Sequence, residues 1–429
     1  MREISEILSK ITLPRMFQAR QIFPRPYIPK AEIPEHILTQ LRADKISASI
    51  KQGMRVCLTG SSRGISNQAL ILRTIADYVK SLGAEPFVVP AMGSHGGITS
   101  EGQRAILAGY DIREEVVGCP IYASMDTTYI GDTEDGRPVY IDKYAAQADG
   151  IILSNRIKLH TGFRGPYESG LMKMMAIGLG KQKGAETCHN AGMHNMPISI
   201  PVFGRAILKH APILFGVGII ENAYDETAKI AVLHNSEIES EEPKLLEEAR
   251  TMMPRIIVGS CDVLIVDQLG KNFSGNGLDP NVVGNFSDMS LCPDFALKHQ
   301  RIGVLDVSDE SNGHCTGVGW THATTRRLFD KFSFEATYAN TITFAMPDCD
   351  RIPPVMDNDR ECIQFCIQTC TGIDRNDCAN LRIIRIPNTL QLEHIQLSEA
   401  YYDELARYDG IIAESEPETL SFDKNGNLF

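Results

Sequence analysis

The sequence predicts an α/β protein built from two α/β domains, with a mostly parallel sheet in the N-terminal one. Its 429 residues exceed what one hydrophobic core usually organises, and 43% of them are hydrophobic against 22% charged, a balance typical of globular proteins. Strand-like and helical segments alternate through the first half, which is the pattern of parallel strands joined by helices. A polar helical stretch then separates this half from a second set of buried strands.

Each element of the first half is predicted from its periodicity and its end signals. Short apolar runs indicate buried strands, whereas apolar residues repeating every three or four positions indicate a helix with one buried face. The predicted elements are a strand at 54–59, a helix at 66–83 ending at Gly83, a strand at 86–90, a helix opening with the capping box Ser100-x-x-Gln103, and a strand at 150–155. Ligands of such sheets bind at the carboxyl ends of the strands, so the site is expected in the loops that follow.

The polar stretch at 236–255 contains the predicted domain boundary. It gives an N-terminal domain of residues 1–245, with the catalytic and cofactor groups, and a smaller C-terminal domain of residues 246–429. The elements predicted in the second domain are strands at 261–268 and 301–308 and a helix at 361–370.

Charge and composition exclude several classes of protein. The formal net charge of -12 argues against nucleic acid as a partner, because that surface attracts basic proteins. No apolar run approaches the roughly 18 residues of a membrane span, so a cytoplasmic protein that does not contact membranes is expected. Among the 11 cysteines, Cys362, Cys366 and Cys370 share one helix face, and buried free thiols are favoured over a metal cluster.

The turn TGSSRGIS at 59–66 follows the first strand and contains Arg63. Its glycine pattern is similar to a dinucleotide-binding turn, but Ser66 replaces the third glycine. Tyr140 and Lys143 are one residue too close for the Tyr-x-x-x-Lys pair of short-chain dehydrogenases, so a nicotinamide-dependent dehydrogenase is the less favoured alternative. The turn is better interpreted as an anion site, in which backbone amides at a helix start act together with Arg63.

Three histidines and one lysine are candidates for chemistry. His95 lies in the glycine-rich turn MGSHGG and His160 follows the last predicted strand of the first half; each suits proton transfer, with a structural role as the alternative. Lys173 lies in the apolar run LMKMMAIG, where a lysine must extend to solvent, pair or react. His189 follows Cys188, and either side chain can bind a soft or borderline metal, of which nickel suits a neutral imidazole.

Two polar residues follow the strand VLIV in the second domain. Gln268 and Lys271 lie in a loop in which Gly270, Gly275 and Gly277 allow close approach to another group. A cation beside a hydrogen-bonding amide suits a carboxylate, and an ordinary turn is the alternative. The sequence therefore predicts a substrate-binding role for Gln268 and Lys271.

In their order along the chain, these motifs resemble the nickel-dependent lactate racemase family. That family has an Arg-containing turn after an early strand, a Gly-x-His turn, a His before a Gly-rich loop with a lysine, a further His, and a Gln-x-x-Lys in the second domain. The matching residues are Arg63, His95, His160, Lys173, His189, Gln268 and Lys271. The spacing of sixteen residues from Lys173 to His189 is also similar to the spacing in that family.

The resemblance implies a racemase or epimerase that inverts C2 of a 2-hydroxy acid. In the family, the lysine carries a covalently attached nickel-pincer nucleotide, a pyridinium mononucleotide with sulfur ligands, and the last histidine completes the nickel coordination. Lys173 and His189 would hold the cofactor and its metal. His95 and His160 would transfer protons on opposite faces of the substrate while hydride moves to and from the cofactor. The residues expected on the substrate carboxylate are Arg63, Gln268 and Lys271, which the resemblance places across an active-site cleft between the two domains.

The chain departs from the family pattern in two places. The family's Ser-Gly-Gly-x-Lys loop reads Ser169-Gly170-Leu171-Met172-Lys173 in a longer segment, and Gly60 stands where an acidic residue usually precedes the arginine. These differences favour a substrate other than lactate, and Tyr167 and Glu168 are candidate contacts for a larger polyol acid. The expected partners are a small anionic 2-hydroxy acid and the enzymes that synthesise the cofactor, and a homo-oligomer is left open. A cofactor-free relative that binds an anionic metabolite is the alternative function.

Overall fold

The structure, a computed structural model, describes residues 2–286, 288–344 and 346–429. The chain forms two compact units. The N-terminal unit is Pro24–Met253, and the C-terminal unit combines Met1–Phe23 with Pro254–Phe429.

This division differs from the predicted boundary after residue 245. The helix Asn235–Met252 continues past that residue, so the N-terminal unit ends where the helix ends. The strand Met16–Gln21 pairs antiparallel with His394–Ser398 and with Ile411–Ala413, which places the first residues of the chain in the C-terminal unit. Pairing between such distant segments leaves no signal in a local sequence pattern.

The strands are numbered in chain order. They are β1 (Met16–Gln21), β2 (Arg55–Gly60), β3 (Glu85–Pro90), β4 (Thr127–Asp132), β5 (Pro138–Asp142), β6 (Gly150–Arg156), β7 (Ile213–Glu221), β8 (Thr227–His234), β9 (Val263–Leu269), β10 (Arg301–Val307), β11 (Ala323–Thr325), β12 (Val355–Met356), β13 (Ile383–Ile386), β14 (His394–Ser398) and β15 (Ile411–Ala413).

The helices are numbered in the same way. The α-helices are α1 (Arg2–Leu8), α2 (Ile33–Leu41), α3 (Asp44–Ser47), α4 (Gln68–Ser81), α5 (Ser100–Gly109), α6 (Glu114–Val117), α7 (Lys143–Ala146), α8 (Leu171–Lys173), α9 (Lys181–His189), α10 (Met196–His210), α11 (Asn235–Met252), α12 (Pro280–Val283), α13 (Arg326–Lys331), α14 (Phe334–Phe344) and α15 (Asp359–Thr369). A π-helix, Met174–Leu179, continues α8. Short 3-10 helices are Met193–Asn195, Met289–Leu291, Asp309–Ser311, Val318–Trp320, Pro347–Asp350, Cys378–Asn380, Glu399–Tyr401 and Leu405–Arg407. Among the described helices, none combines the length and apolar character needed to cross a membrane.

The N-terminal unit is organised on a five-stranded sheet with the order β3-β2-β6-β7-β8. The first four strands are parallel, and β8 returns antiparallel to β7. Both faces are covered, because Val56 and Leu58 of β2 pack in one apolar cluster whereas Cys57 between them packs in another. The predicted α/β class with a mostly parallel sheet in this unit is therefore confirmed.

The first helix of this unit matches its prediction. Leu72, Ile75 and Val79 of α4 are fully buried, as the apolar periodicity indicated. Gly83 follows the helix at φ +77°, a left-handed conformation that ends a helix without strain only when the residue is glycine.

The capping box predicted for α5 is wrong. Thr99 caps this helix, with its hydroxyl accepting from the Gly102 N–H at 3.0 Å. Gln103 is fully buried and its side chain points into the unit instead of back to the helix start. The cap lies one residue earlier than predicted because the serine at position 100 is already helical.

The C-terminal unit is organised on an eight-stranded sheet with the order β12-β11-β10-β9-β13-β14-β1-β15. The strands from β12 to β13 are parallel, and the remaining pairs are antiparallel. The predicted second α/β domain is therefore observed, although its sheet also uses the N-terminal strand β1.

The three cysteines of α15 are buried free thiols, as predicted. Cys362, Cys366 and Cys370 have no solvent exposure and pack in the apolar cluster beneath the sheet. Burial raises the pKa of Cys370 to about 11, so this thiol stays protonated near neutral pH. Within the described ranges, no group of three or more His, Cys, Asp or Glu side chains could hold a metal ion.

Candidate active site

The candidate site lies where the parallel strands of the N-terminal unit end. β2, β3, β6 and β7 run in the same direction, so the loops that follow them leave the sheet at one edge. Arg63, His95 and His160 lie in the first three of these loops. The carboxyl edge of the sheet thus brings together residues that the sequence separates widely.

The first two loops are joined by a hydrogen bond between side chains. Ser62 Oγ lies 2.5 Å from Nδ1 of His95. Arg63 is the next residue; burial lowers the pKa of its guanidinium, Tyr110 opposes this, and the charge of Arg156 lowers it further. A half-buried arginine therefore lies beside the histidine loop, where a carboxylate would find both a cation and a proton carrier.

The third loop is organised around Glu168, a buried carboxylate. One oxygen accepts from the His160 N–H at 2.7 Å and from Arg164 at 3.2 Å, and Arg164 also donates to the His160 carbonyl at 2.6 Å. Burial raises the pKa of Glu168 even though these donors favour its charged form. The main chain of His160 is consequently held on both its N–H and its carbonyl.

Tyr167 and Glu168, the candidate polyol contacts, have partners inside the unit, and their contact with substrate stays a prediction. Both side chains are buried, and the Tyr167 hydroxyl donates to the carbonyl of Glu239 at 2.6 Å. Their polar groups are used inside the unit, so the longer loop serves to support His160.

The imidazole of His160 is held in an environment that favours its neutral form. It stacks on Phe163 with ring centroids 4.2 Å apart, and Nδ1 accepts from the Gly162 N–H at 3.0 Å. Burial lowers the pKa of His160 well below its ordinary range, and the charges of Lys173 and His189 lower it further. A neutral histidine is the form that can accept a proton.

Lys173 lies in the first turn of the helix that follows this loop. Its ammonium is 5.9 Å from the centroid of the Phe163 ring. Burial lowers the pKa of Lys173 to about 7, and Arg63 and Lys158 act in the same direction against Cys188 and Glu168. Near neutral pH much of this amine is uncharged, which is the nucleophilic form.

The helix start that carries Lys173 is capped by a glutamate from a distant helix. Glu242 of α11 is only 1% exposed and its Oε2 accepts from the Met172 N–H at 2.9 Å. Gly170 leaves room for this carboxylate, because a Cβ there would lie 2.1 Å from a Glu242 carboxylate oxygen. Burial raises the pKa of Glu242 to about 8 although the Met172 and Leu171 amides favour its charge. No short-range pattern links residues 170 and 242.

The next lysine along the helix has the opposite environment. Lys181 is fully buried, ion-paired with Asp142 at 3.1 Å and hydrogen-bonded to Gln103 at 2.9 Å. Lys181 is thus held by fixed partners, whereas Lys173 lies among other cations. This contrast distinguishes a structural lysine from a reactive one.

His189 ends α9 and approaches the same cluster. Burial lowers the pKa of His189 to about 4, and the charge of Lys173 adds to the effect, so its imidazole is neutral and able to bind a metal. The adjacent Cys188 is fully buried and burial raises its thiol pKa to about 12. Of the two adjacent candidates, the histidine is therefore the better ligand.

The sequence missed a charged network at the end of β6 and β7. Arg156 forms a salt bridge with Glu221, which also accepts from the Ser66 N–H at 2.5 Å. Asp225 follows in a left-handed conformation at φ +56°; burial and Glu221 raise its pKa to about 6, against Arg156 and Lys158. The only sequence signal was position, since each residue lies at or beyond a strand end.

The C-terminal unit holds the two remaining predicted residues. Gln268 lies near the carboxyl end of β9, and Lys271 follows it with Nζ donating to the Gly275 carbonyl at 2.7 Å. Gly277 has φ +73°, and a Cβ there would lie 2.0 Å from the Thr316 carbonyl, so the predicted close approach of this loop is observed. The substrate-binding role of Gln268 and Lys271 stays a prediction.

The geometry defines the class of site: an α/β unit whose parallel sheet presents an arginine, a lysine of lowered pKa and neutral histidines at its carboxyl edge. Residues 9–199 match the model of the lactate racemase N-terminal domain family. Residues 9–199 are therefore similar to that domain family, and the resemblance carried by the motifs is confirmed over these residues. The similarity favours an isomerase of the racemase or epimerase type.

One solved structure and the curated proteins complete the comparison. The chain is similar to the lactate racemase apoprotein from Thermoanaerobacterium thermosaccharolyticum, at 14% sequence identity and a TM-score of 0.42, over 67% of this chain and 74% of that chain. No curated protein matches the chain.

Proposed function

We propose that the protein is a racemase or epimerase that inverts C2 of a 2-hydroxy acid with a nickel-pincer nucleotide attached to Lys173. The observation that carries this proposal is the environment of Lys173. A lysine with a pKa of about 7 lies near two neutral histidines, within the residues that match the lactate racemase N-terminal domain.

The residues present fit such a cofactor. Attachment requires an uncharged amine, which Lys173 offers near neutral pH. His189 offers one neutral imidazole close enough for the charge of Lys173 to lower its pKa, which suits a metal whose other ligands belong to the cofactor itself. When bound, the group would supply the hydride acceptor and donor for C2 of the substrate.

The remaining residues of the edge would bind the substrate and move its protons. Arg63 would hold the carboxylate, because its guanidinium can donate two parallel hydrogen bonds. His95 and His160 would accept and return the 2-hydroxyl proton, each for one configuration of C2. The neutral state of His160 suits the accepting role. Gln268 and Lys271 are proposed as further carboxylate ligands on the strength of the motif alone.

Intact mass spectrometry tests the proposal. The chain would be produced together with cofactor-synthesising enzymes, and we expect a mass increase located on Lys173, with nickel in equal amount. Lys173→Arg should abolish both, whereas Lys183→Arg, a change at an exposed lysine of the same helical segment, should retain them. The loaded protein should exchange deuterium at C2 of a 2-hydroxy acid. An unmodified Lys173 under these conditions would contradict the proposal.

A cofactor-free relative is the second candidate. Arg63 and Lys158, whose charges both lower the pKa of Lys173, form with it a cationic cluster that also suits an anionic metabolite bound without reaction. Such a protein would melt at a higher temperature with a 2-hydroxy acid but would never exchange the C2 hydrogen. The same screen of hydroxy acids therefore separates the two candidates.

A further inference from the structure

A buried polar chain connects the His95 loop with the helix that bears Lys173 and His189. Its members are Gln103 of α5 and Lys181 at the start of α9, both without solvent exposure. The sequence indicated Gln103 only as part of a capping box, and no motif pointed to Lys181.

Lys181 lies at the break between two helical segments. The π-helix Met174–Leu179 ends just before it, and α9 begins with it in a left-handed conformation at φ +53°. This conformation costs a non-glycine residue about 1–2 kcal/mol, so other contacts must hold it. The ammonium donates to the Pro90 carbonyl and to Gln103 Oε1 at 2.9 Å, and pairs with the buried carboxylate of Asp142 at 3.1 Å.

These contacts fix which way the Gln103 amide points. An ammonium group donates and never accepts, so the oxygen of the amide must face Lys181. The nitrogen Nε2 then faces the opposite way and donates to the carbonyls of Gly93 at 2.9 Å and His95 at 3.2 Å. The charge of Lys181 thereby selects the amide orientation that binds the His95 loop.

The loop is also pressed against the first turn of α5, which carries Gln103. A Cβ on Gly102 would lie 1.9 Å from the Gly96 carbonyl, and a Cβ on Gly96 would lie 2.5 Å from the Gln103 nitrogen. The turn around His95 therefore contacts α5 through main chain and is held there by one buried side chain.

We propose that Gln103 and Lys181 are positioning residues, which fix His95 relative to the helix that bears Lys173 and His189. The role of His95 in catalysis rests on the proposed function, whereas the hydrogen bonds that fix its loop are independent of that function. The buried chain joins β3, α5 and α9, so the proton-transferring loop and the cofactor-bearing helix cannot shift independently.

The test uses the full-length protein without cofactor. Gln103→Leu removes both polar ends of the amide at similar volume, and Lys181→Met removes the charge that orients it. Lys183→Met is the matched control, because this lysine lies on the same helix but is exposed, with its ammonium 4.0 Å from the centroid of the Tyr140 ring. Hydrogen exchange is measured for the amides of 93–98, and nitrogen shifts are measured for the His95 ring. Losing the hydrogen bonds from Gln103 to the Gly93 and His95 carbonyls, together worth at least about 1.4 kcal/mol, should speed loop exchange at least about tenfold in the first two variants.

The ring shifts separate positioning from a general structural role. In Gln103→Leu, the His95 nitrogen shifts should move toward those of a solvated imidazole, because the loop no longer holds Nδ1 against Ser62 Oγ. A residue that only stabilises the fold would lower the free energy of unfolding and leave those shifts unchanged. Where Gln103→Leu does not fold, Gln103→Glu replaces it, since it keeps the acceptor toward Lys181 but presents a carboxylate oxygen to two carbonyls.

Normal loop exchange and normal His95 shifts in the folded Gln103 variant would overturn the inference, even in an active racemase. An unmodified Lys173 would contradict the proposed function and leave these measurements unaffected. In the loaded enzyme, Gln103→Leu should lower the rate of C2 exchange at saturating substrate more than it raises KM, because the residue does not touch substrate.

Discussion

At the scale of single residues, the surroundings decide which lysine and which histidine can react. Lys173 and Lys181 lie on one helical segment, but the pKa of Lys173 is lowered by burial and by the charges of Arg63 and Lys158, whereas Lys181 is paired with Asp142. The sequence indicated Lys173 because a lysine within LMKMMAIG has few other uses. It could not indicate Lys181, whose partners come from β3, β5 and α5.

Lys173 should react with small amine reagents at unusually low pH. Its pKa of about 7 means that the neutral amine is already half formed there, whereas an unfolded lysine reaches this point near pH 10.4. Reductive methylation over pH 5–10, read by peptide mass spectrometry, should give a midpoint near 7 for Lys173 in the folded protein and near 10 in urea.

A variant that removes a neighbouring charge tests the cause of the lowered pKa of Lys173. Arg63→Met should raise the midpoint of Lys173, because the arginine charge is the second largest cause of its lowered pKa after burial. A midpoint near 10 in the native wild-type protein would refute the reactive-lysine assignment.

At the scale of elements, the sequence predicted the strands and helices of the sheet well and their end contacts poorly. Periodicity reports the buried face of α4 because burial repeats with the helix turn. The capping box failed because Gln103 finds its partners across the unit. The start of α8 is likewise stabilised by Glu242, a residue from another helix that no local pattern could reveal.

Glu242 should make the unfolding free energy depend on pH. Its pKa is about 8 in the folded protein and near 4.3 when unfolded, so between these values the native state binds the extra proton. Stability should therefore fall as pH rises through this window, by up to about 1.4 kcal/mol per pH unit. Urea unfolding of Glu242→Gln between pH 5 and 8 should show a shallower fall than wild type.

Glu241→Gln is the control for that comparison. Its carboxylate has a lowered pKa because of a hydrogen bond from Lys244, so its own contribution is lost only as pH falls below the window. This variant should retain the wild-type slope. An unchanged slope in Glu242→Gln would show that the glutamate is ionised in the folded state.

At the scale of the whole molecule, the sequence predicted two α/β units but not which segments form them. Alternation of strands and helices is local, so it identified both sheets. The membership of β1 is set by its pairing with β14 and β15, and these partners lie at the other end of the chain. The same distinction holds for the site. The strand-end positions of Arg63, His95 and His160 follow from local patterns and were predictable, whereas the residues that support them come from distant segments and were not.

Truncation of two equally buried phenylalanines, one in each unit, should show whether the two units open independently. Phe17 of β1 packs edge-on against Tyr402 with ring centroids 5.1 Å apart, and Phe203 of α10 lies beneath the Arg137 guanidinium; both are 1% exposed. Truncation of either to alanine should cost roughly 3–5 kcal/mol. In native-state hydrogen exchange, Phe17→Ala should speed opening of β9 and β14 and spare β2 and β6, with the reverse for Phe203→Ala. Faster exchange of β2 and β6 in Phe17→Ala would instead place the first strand energetically with the N-terminal unit.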